Sequence, residues 1–147
     1  MVKAPRLWRA SFYATDGRAQ ARMITATTWP IASRGAKALV RQHPADLIVT
    51  VHPFANTFAL RALGKDRPPF INVVTDMVTT HALWFDKRAD LILVPTKQAR
   101  DNAIRFNMPS EKVRVVGLPV ADKYCKPLGR KSTLRKKLGW TLDKPIV

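Results

Sequence analysis

Phe70-Ile71-Asn72-Val73-Val74 runs straight into Thr75-Asp76-Met77-Val78-Thr79-Thr80-His81-Ala82-Leu83-Trp84-Phe85, and this junction decides the fold. The first five residues have the composition of a buried strand. The next eleven place polar, ionisable and aromatic groups where that strand surfaces. Two similar junctions flank it: Asp46-Leu47-Ile48-Val49-Thr50-Val51 opens into His52-Pro53-Phe54-Ala55-Asn56, and Asp90-Leu91-Ile92-Leu93-Val94 opens into Pro95-Thr96-Lys97. Ligands of open parallel α/β sheets bind beyond the carboxyl ends of the strands, so three strand ends are expected to line one rim.

Outward from that rim the chain alternates strand and helix. Strand 46–51 leads to a helix of about 54–63 ended by Gly64, strand 70–75 leads to the loop quoted above, strand 91–94 leads to a helix of about 97–106, and strand 113–116 leads to Gly117-Leu118-Pro119-Val120. Continuous apolar runs predict strands buried on both faces, the pattern of a parallel sheet. Each crossover is expected to be right-handed. Thr96 is placed to cap the helix that follows it, and Asn107 followed by Pro109 forms a stop. The fold class is therefore α/β, a Rossmann-like parallel sheet flanked by helices, and 147 residues suffice for one domain with a real core.

Before residue 43 the pattern is helical. Pro5 suits a first helical turn, and Leu7, Trp8, Ser11 and Phe12 then share a face of helix 5–14, with Arg6 and Arg9 beside it. Two readings fit: an interfacial helix lying on a membrane, or an amphipathic helix packed on its own domain. A second helix of about 18–41 is expected to break or kink near Trp29-Pro30, because proline removes a donor and clashes with the preceding turn. After residue 122 a basic helix of about 132–138 closes with Gly139, and Asp143-Lys144-Pro145-Ile146-Val147 reads as the start of another buried strand.

Charge divides the chain in the same places. Residues 1–42 and 123–147 each hold eight Lys/Arg against one Asp, whereas 43–122 holds ten basic and eight acidic residues. The total of +16 thus resides in two cationic ends around a nearly balanced centre. Such ends attract an anionic surface, either nucleic acid or an acidic membrane, the latter with ~1 kcal/mol per basic residue. The aromatic strand motifs of RNA-recognition modules, zinc-finger spacing and glycine-loop clamps are all missing, which disfavours nucleic acid. The single Cys125 excludes an intrachain disulfide and, with no base beside it, reads as an unreactive thiol in a reducing compartment. With no apolar run near ~18 residues and no signal peptide at the N-terminus, the chain is expected in the cytoplasm, peripheral on the inner face of a membrane.

Four segments in order carry a family resemblance: Ala45 to Pro53, Val73 to Phe85, Val94-Pro95-Thr96, and Glu111 to Val120. Together they resemble the N-terminal acceptor domain of monogalactosyldiacylglycerol synthases and the related processive diacylglycerol glucosyltransferases. The resemblance covers residues 40–122 in detail and the basic arm more loosely. It implies a two-domain GT-B glycosyltransferase that passes a hexose from UDP-galactose or UDP-glucose to diacylglycerol without a metal cofactor. Within it, 1–42 is a basic helical arm, 43–122 the acceptor-domain core, and 123–147 a basic linker and the start of a donor domain. Members of that family begin with a strand and a glycine-rich loop ending in the His proposed as base; no such loop precedes residue 46 here. They also continue into a donor domain, so residues 1–147 alone are expected to give no sugar transfer above background in a lipid-supplemented assay. After the nucleic-acid-binding module, another nucleotide-sugar enzyme of the same architecture, a peptidoglycan-precursor transferase or a sugar epimerase, is a further alternative, and the loop after Asp76 argues against it.

Particular residues follow from both readings. Asp76, ending the central strand, orients a base or binds a hydroxyl, or else caps the next turn. His52 stands where an acceptor hydroxyl would arrive, or hydrogen-bonds the loop backbone. Asn56, one turn on, fixes that ring or the glycerol. Thr79 and His81 read as an acceptor-site pair, or else as residues of a surface loop. Trp84 and Phe85, next to Asp86-Lys87-Arg88, read as lipid-side aromatics flanked by cations or as packing under the rim, the latter preferred for Phe85. Leu7, Trp8, Phe12, Arg6 and Arg9 are the membrane-facing candidates. His43, His52 and His81 lack neighbours at metal-ligand spacing, so no metal site and no cofactor are expected.

Overall fold

The computed structural model describes residues 5–126 and 129–145. Helix α1 (Pro5–Thr15) and the long α2 (Arg18–Gln42) precede β1 (Ile48–Thr50), α3 (Pro53–Leu63) and β2 (Phe70–Val73). A single 3₁₀ turn (Ala82–Trp84) separates β2 from β3 (Leu91–Val94), which is followed by α4 (Lys97–Arg105), β4 (Val113–Val115) and α5 (Lys131–Lys137). The side chains of Arg6 and Trp8 lie outside the described residues, as do Ile146 and Val147 of the expected further strand.

The four strands form one parallel sheet in the order β1-β2-β3-β4. Thr50 lies opposite Asn72 and Val73 opposite Leu93, so the carboxyl ends of β1, β2 and β3 stand side by side as the rim reading requires. The helix ends follow local chemistry. Thr96 caps α4 by accepting from the Ala99 amide, Asn107 stops it with φ 59°, and Gly64 ends α3 with φ 78°. At the other edge of the sheet, Asp90 ties the strand starts together: its carboxylate accepts the Phe70 amide at 2.8 Å and the Arg67 guanidinium at 2.6 Å.

Two expectations are corrected. The strands are not buried on both faces but alternate, with Phe70, Asn72, Ile92 and Val94 buried and Ile71, Val73, Leu91 and Leu93 half-buried. The buried face meets Leu60 of α3, Trp84, and Ala99 and Ala103 of α4. Among the described residues the opposite face of the sheet keeps Leu47, Val49 and Val51 exposed. Nor does α2 break at Pro30; it is one continuous helix. Proline removes a single bond, while tertiary packing holds the turns that precede it. Trp29 stacks on Phe58 of α3 at 6.2 Å, the Arg61 guanidinium lies 5.0 Å from the Trp29 ring, and Arg61 donates to the Thr25 carbonyl at 3.1 Å.

Candidate functional site

Beyond the end of β2 the chain leaves the sheet at Val74 and turns through Thr75 to His81 before the 3₁₀ turn. Asp76 is half-buried there, and its Oδ2 accepts the indole N–H of Trp84 at 2.6 Å. Among the described residues its Oδ1 carries no protein hydrogen bond. Asp76, Met77 and Thr79 form one wall of a cavity of about 380 Å³, and Arg9, Phe12 and Tyr13 of α1 form the other. A carboxylate thus sits in a recess with two aromatic rings, a thioether and one guanidinium.

His81 is not an open partner to Thr79 in this cavity. It is buried at the start of the 3₁₀ turn, where its Nδ1 accepts the Leu83 amide at 3.1 Å. Its Nε2 is 3.1 Å from the Thr15 hydroxyl at the end of α1, and the Phe12 ring meets it edge-on at 5.1 Å. Burial pushes the ring below its ordinary pKa of 6.5, against the opposing fields of Asp16 and Asp76. A second link parallels this one: Asp16, between α1 and α2, accepts the Ala82 amide at 2.8 Å. Asp16 escaped the reading of the sequence, although it is the one carboxylate in the first 42 residues and in that respect stood out.

Trp84 does not face lipid. At 2% exposure it is among the largest fully buried side chains, and its ring belongs to the core cluster. Its carbonyl accepts the amide groups of both Asn56, at 3.0 Å, and Asn72. Asn56 is therefore committed to the fold rather than to an acceptor: its Oδ1 accepts from the Thr50 hydroxyl, and the residue is 1% exposed. This buried polar network satisfies a loop carbonyl that would otherwise be lost to water. Phe85 packs against the core and stacks on Phe106 at 5.7 Å, as preferred for it. His52 occupies the N-cap position of α3 without a side-chain capping bond, is exposed on the same rim, and lies outside the lining of the Asp76 cavity. Of the interfacial candidates, Leu7 and Arg9 are exposed, whereas Phe12 is half-buried against His81.

A larger cavity of about 520 Å³ opens between α2 and the segment after Trp84. Arg18, Arg22, Arg61, Lys87 and Arg88 line it, above a floor that includes Leu83, Phe85 and Met108. Its single carboxylate, Asp86, is already engaged by Arg88 at 2.6 Å and by the Thr57 hydroxyl at 3.0 Å. Burial alone would raise the Asp86 pKa, but these hydrogen bonds outweigh it and hold the group below the usual carboxylate range. The cavity is strongly cationic, and periodicity gave no sign of it because its basic side chains come from three separate segments, α2, α3 and residues 87–88.

A four-stranded parallel sheet flanked by helices, with a carboxylate-bearing recess beyond its strand ends, defines a Rossmann-like α/β domain. The sequence model of the monogalactosyldiacylglycerol (MGDG) synthase family matches residues 1–120, and the chain belongs to that family. It is 34% identical over 152 aligned residues to the probable monogalactosyldiacylglycerol synthase of Nicotiana tabacum, covering all of this chain and 28% of that protein. The corresponding proteins of Glycine max and Arabidopsis thaliana are 32% and 31% identical, with all of this chain and 28% of theirs covered. All three are named as chloroplast proteins. The chain thus spans little more than a quarter of the length of these relatives.

Proposed function

We propose that this chain is the acceptor side of a hexosyltransferase that moves a sugar from UDP-galactose or UDP-glucose to diacylglycerol in glycolipid synthesis. The observation that carries this reading is the Asp76 recess. Diacylglycerol presents one hydroxyl between two apolar chains, and so calls for one strong acceptor in a mostly apolar mouth. Asp76 Oδ1, with Phe12, Tyr13 and Met77 around it, meets that description, and Thr79 adds a hydroxyl to position the glycerol. The carboxylate receives or orients the acceptor hydroxyl as its oxygen attacks the sugar. His52, on the neighbouring strand end, is the group within the chain best placed to approach from the donor side. The UDP-sugar itself is held mostly outside these residues.

The same reading puts the domain on a membrane, as a peripheral protein on its cytoplasmic face. No described helix is long and apolar enough to cross one. The cationic cavity, with its apolar floor, suits the phosphates of anionic lipids, and the exposed Leu7 and Tyr13 of α1 suit the interface.

Vesicle flotation tests this. Phosphatidylglycerol-rich vesicles are expected to retain the protein, neutral phosphatidylcholine vesicles to retain little, and retention to fall steeply as salt rises, because surface charge is screened within about 8 Å at physiological ionic strength. Reversing Arg18 and Arg22 to Glu is expected to abolish most of the retention. Tight binding to DNA or RNA at physiological salt, with anionic vesicles ignored, would replace the membrane reading by a nucleic-acid one.

A further inference from the structure

The Asp76 cavity exists only while α1 is docked, since half of its lining is Arg9, Phe12 and Tyr13. An isolated helix of 11 residues is marginal in water, below the ~12–15 residues at which even good formers hold. Its place therefore depends on what ties it down. Among the described residues, ties at its C-terminal end are the Thr15 hydroxyl on His81, the Phe12 ring on the same imidazole, and Asp16 on the Ala82 amide.

We propose that α1 is a gate over the Asp76 cavity, latched shut by the neutral imidazole of His81 together with Asp16. This rests on reading the cavity as the acceptor site.

The hydrogen bonds fix which form of the ring can latch. Nδ1 accepts from the Leu83 amide and so carries no proton; Nε2–H then donates to the Thr15 hydroxyl, which donates onward to the Ser11 or Phe12 carbonyl. Protonating Nδ1 sets two donors against each other at Leu83 and pulls the ring out of this arrangement. The charged groups acting on the ring are Asp16, from the joint between α1 and α2, and Asp76, from the loop beside it. Both favour the protonated ring, and burial opposes them with the larger effect. The docked state therefore binds fewer protons than the undocked one. The latch has full strength above the ordinary value of 6.5 and weakens as pH falls below it. Leu7 and Tyr13, already 73% and 65% exposed, give a released α1 an apolar surface to lay on a membrane while the cavity opens to lipid.

Hydrogen exchange followed by mass spectrometry on residues 1–147, without lipid, tests the latch. After correction for intrinsic rates, exchange of α1 amides and of residues 77–79 is expected to rise about three- to tenfold between about pH 7.5 and 5.5, with β2 and β3 unchanged. His81→Asn keeps an acceptor for the Leu83 amide but removes the titrating ring. Its α1 should exchange fast at both pH values. Thr15→Val, which keeps shape and loses the hydroxyl, serves if His81→Asn folds poorly, and should also raise α1 exchange at about pH 7.5 and flatten its pH dependence. Wild-type α1 exchange that does not respond to pH, or a pH response that survives in either variant, overturns the latch. Because no lipid or sugar is present, that failure is separate from failure of the acceptor reading, which unchanged transfer by Asp76→Asn in a polypeptide that carries the donor side would expose instead.

Discussion

Trp84→Ala is expected to strip this domain of much of its stability rather than to weaken its hold on lipid. The side chain is 2% exposed at the centre of the packed face of the sheet, against Leu60, Phe70, Val74 and Ile92. Truncating a buried Trp or Phe to Ala costs about 3–5 kcal/mol, a large part of the 5–15 kcal/mol that holds a typical domain together. The indole also donates to Asp76 Oδ2, so its removal takes that partner from a half-buried carboxylate oxygen. Urea denaturation read by far-UV circular dichroism measures this. Trp84→Phe, which keeps most of the volume but loses the N–H, should cost less, about 1–3 kcal/mol. Vesicle binding by Trp84→Ala should fall only in step with the folded fraction. A stably folded Trp84→Ala with native urea midpoint and lost vesicle binding would show that the ring faces lipid after all.

Asp76→Asn is expected to behave in the opposite way, leaving the fold intact and removing the chemistry. The amide oxygen can still accept the Trp84 indole at the position Oδ2 holds now, so the tie between strand end and core survives. What disappears is the negative charge on the cavity side, replaced by an NH₂ group that cannot take a proton from an acceptor hydroxyl. In a polypeptide that carries the donor side as well, transfer to diacylglycerol should fall on the order of a hundredfold in turnover, with the urea midpoint nearly unchanged. An effect confined to the apparent affinity for diacylglycerol would restrict Asp76 to binding; unchanged turnover would remove it from the site altogether.

These two residues divide what local sequence can and cannot say. The parallel sheet was legible because its signals are local: apolar runs of strand length, Thr96 at a helix start, Gly64 and Asn107 at helix ends, and the regular alternation that puts strand ends on one rim. The family could likewise be read from the ordered segments around Asp76. The polar position at the end of β2 therefore followed from the chain itself, because a strand that leaves the core must surface where its apolar run stops.

The partners of those residues were not legible. Trp84 has the neighbours of an interfacial aromatic, Phe85 and Lys87-Arg88, yet a buried carbonyl network from Asn56 and Asn72 draws its backbone into the core. Asn56 reads as a rim residue by spacing, but its amide is directed to a carbonyl 28 positions away. A break or kink near Pro30 was expected from the lost donor and the clash with the preceding turn; the helix runs through without a break, beside a stacking contact on α3 that no window of sequence contains.

The amino-acid sequence by itself determined the class of fold, the rim and the polar residue at its centre, because each depends on contacts among near neighbours. Only the tertiary structure decided that α1 closes the cavity and that His81 and Asp16 hold it there, since those bonds join residues 66 positions apart and neither end signals the other. Hydrophobic periodicity reports that a face is to be buried; which surface buries it is set by the three-dimensional course of the whole chain.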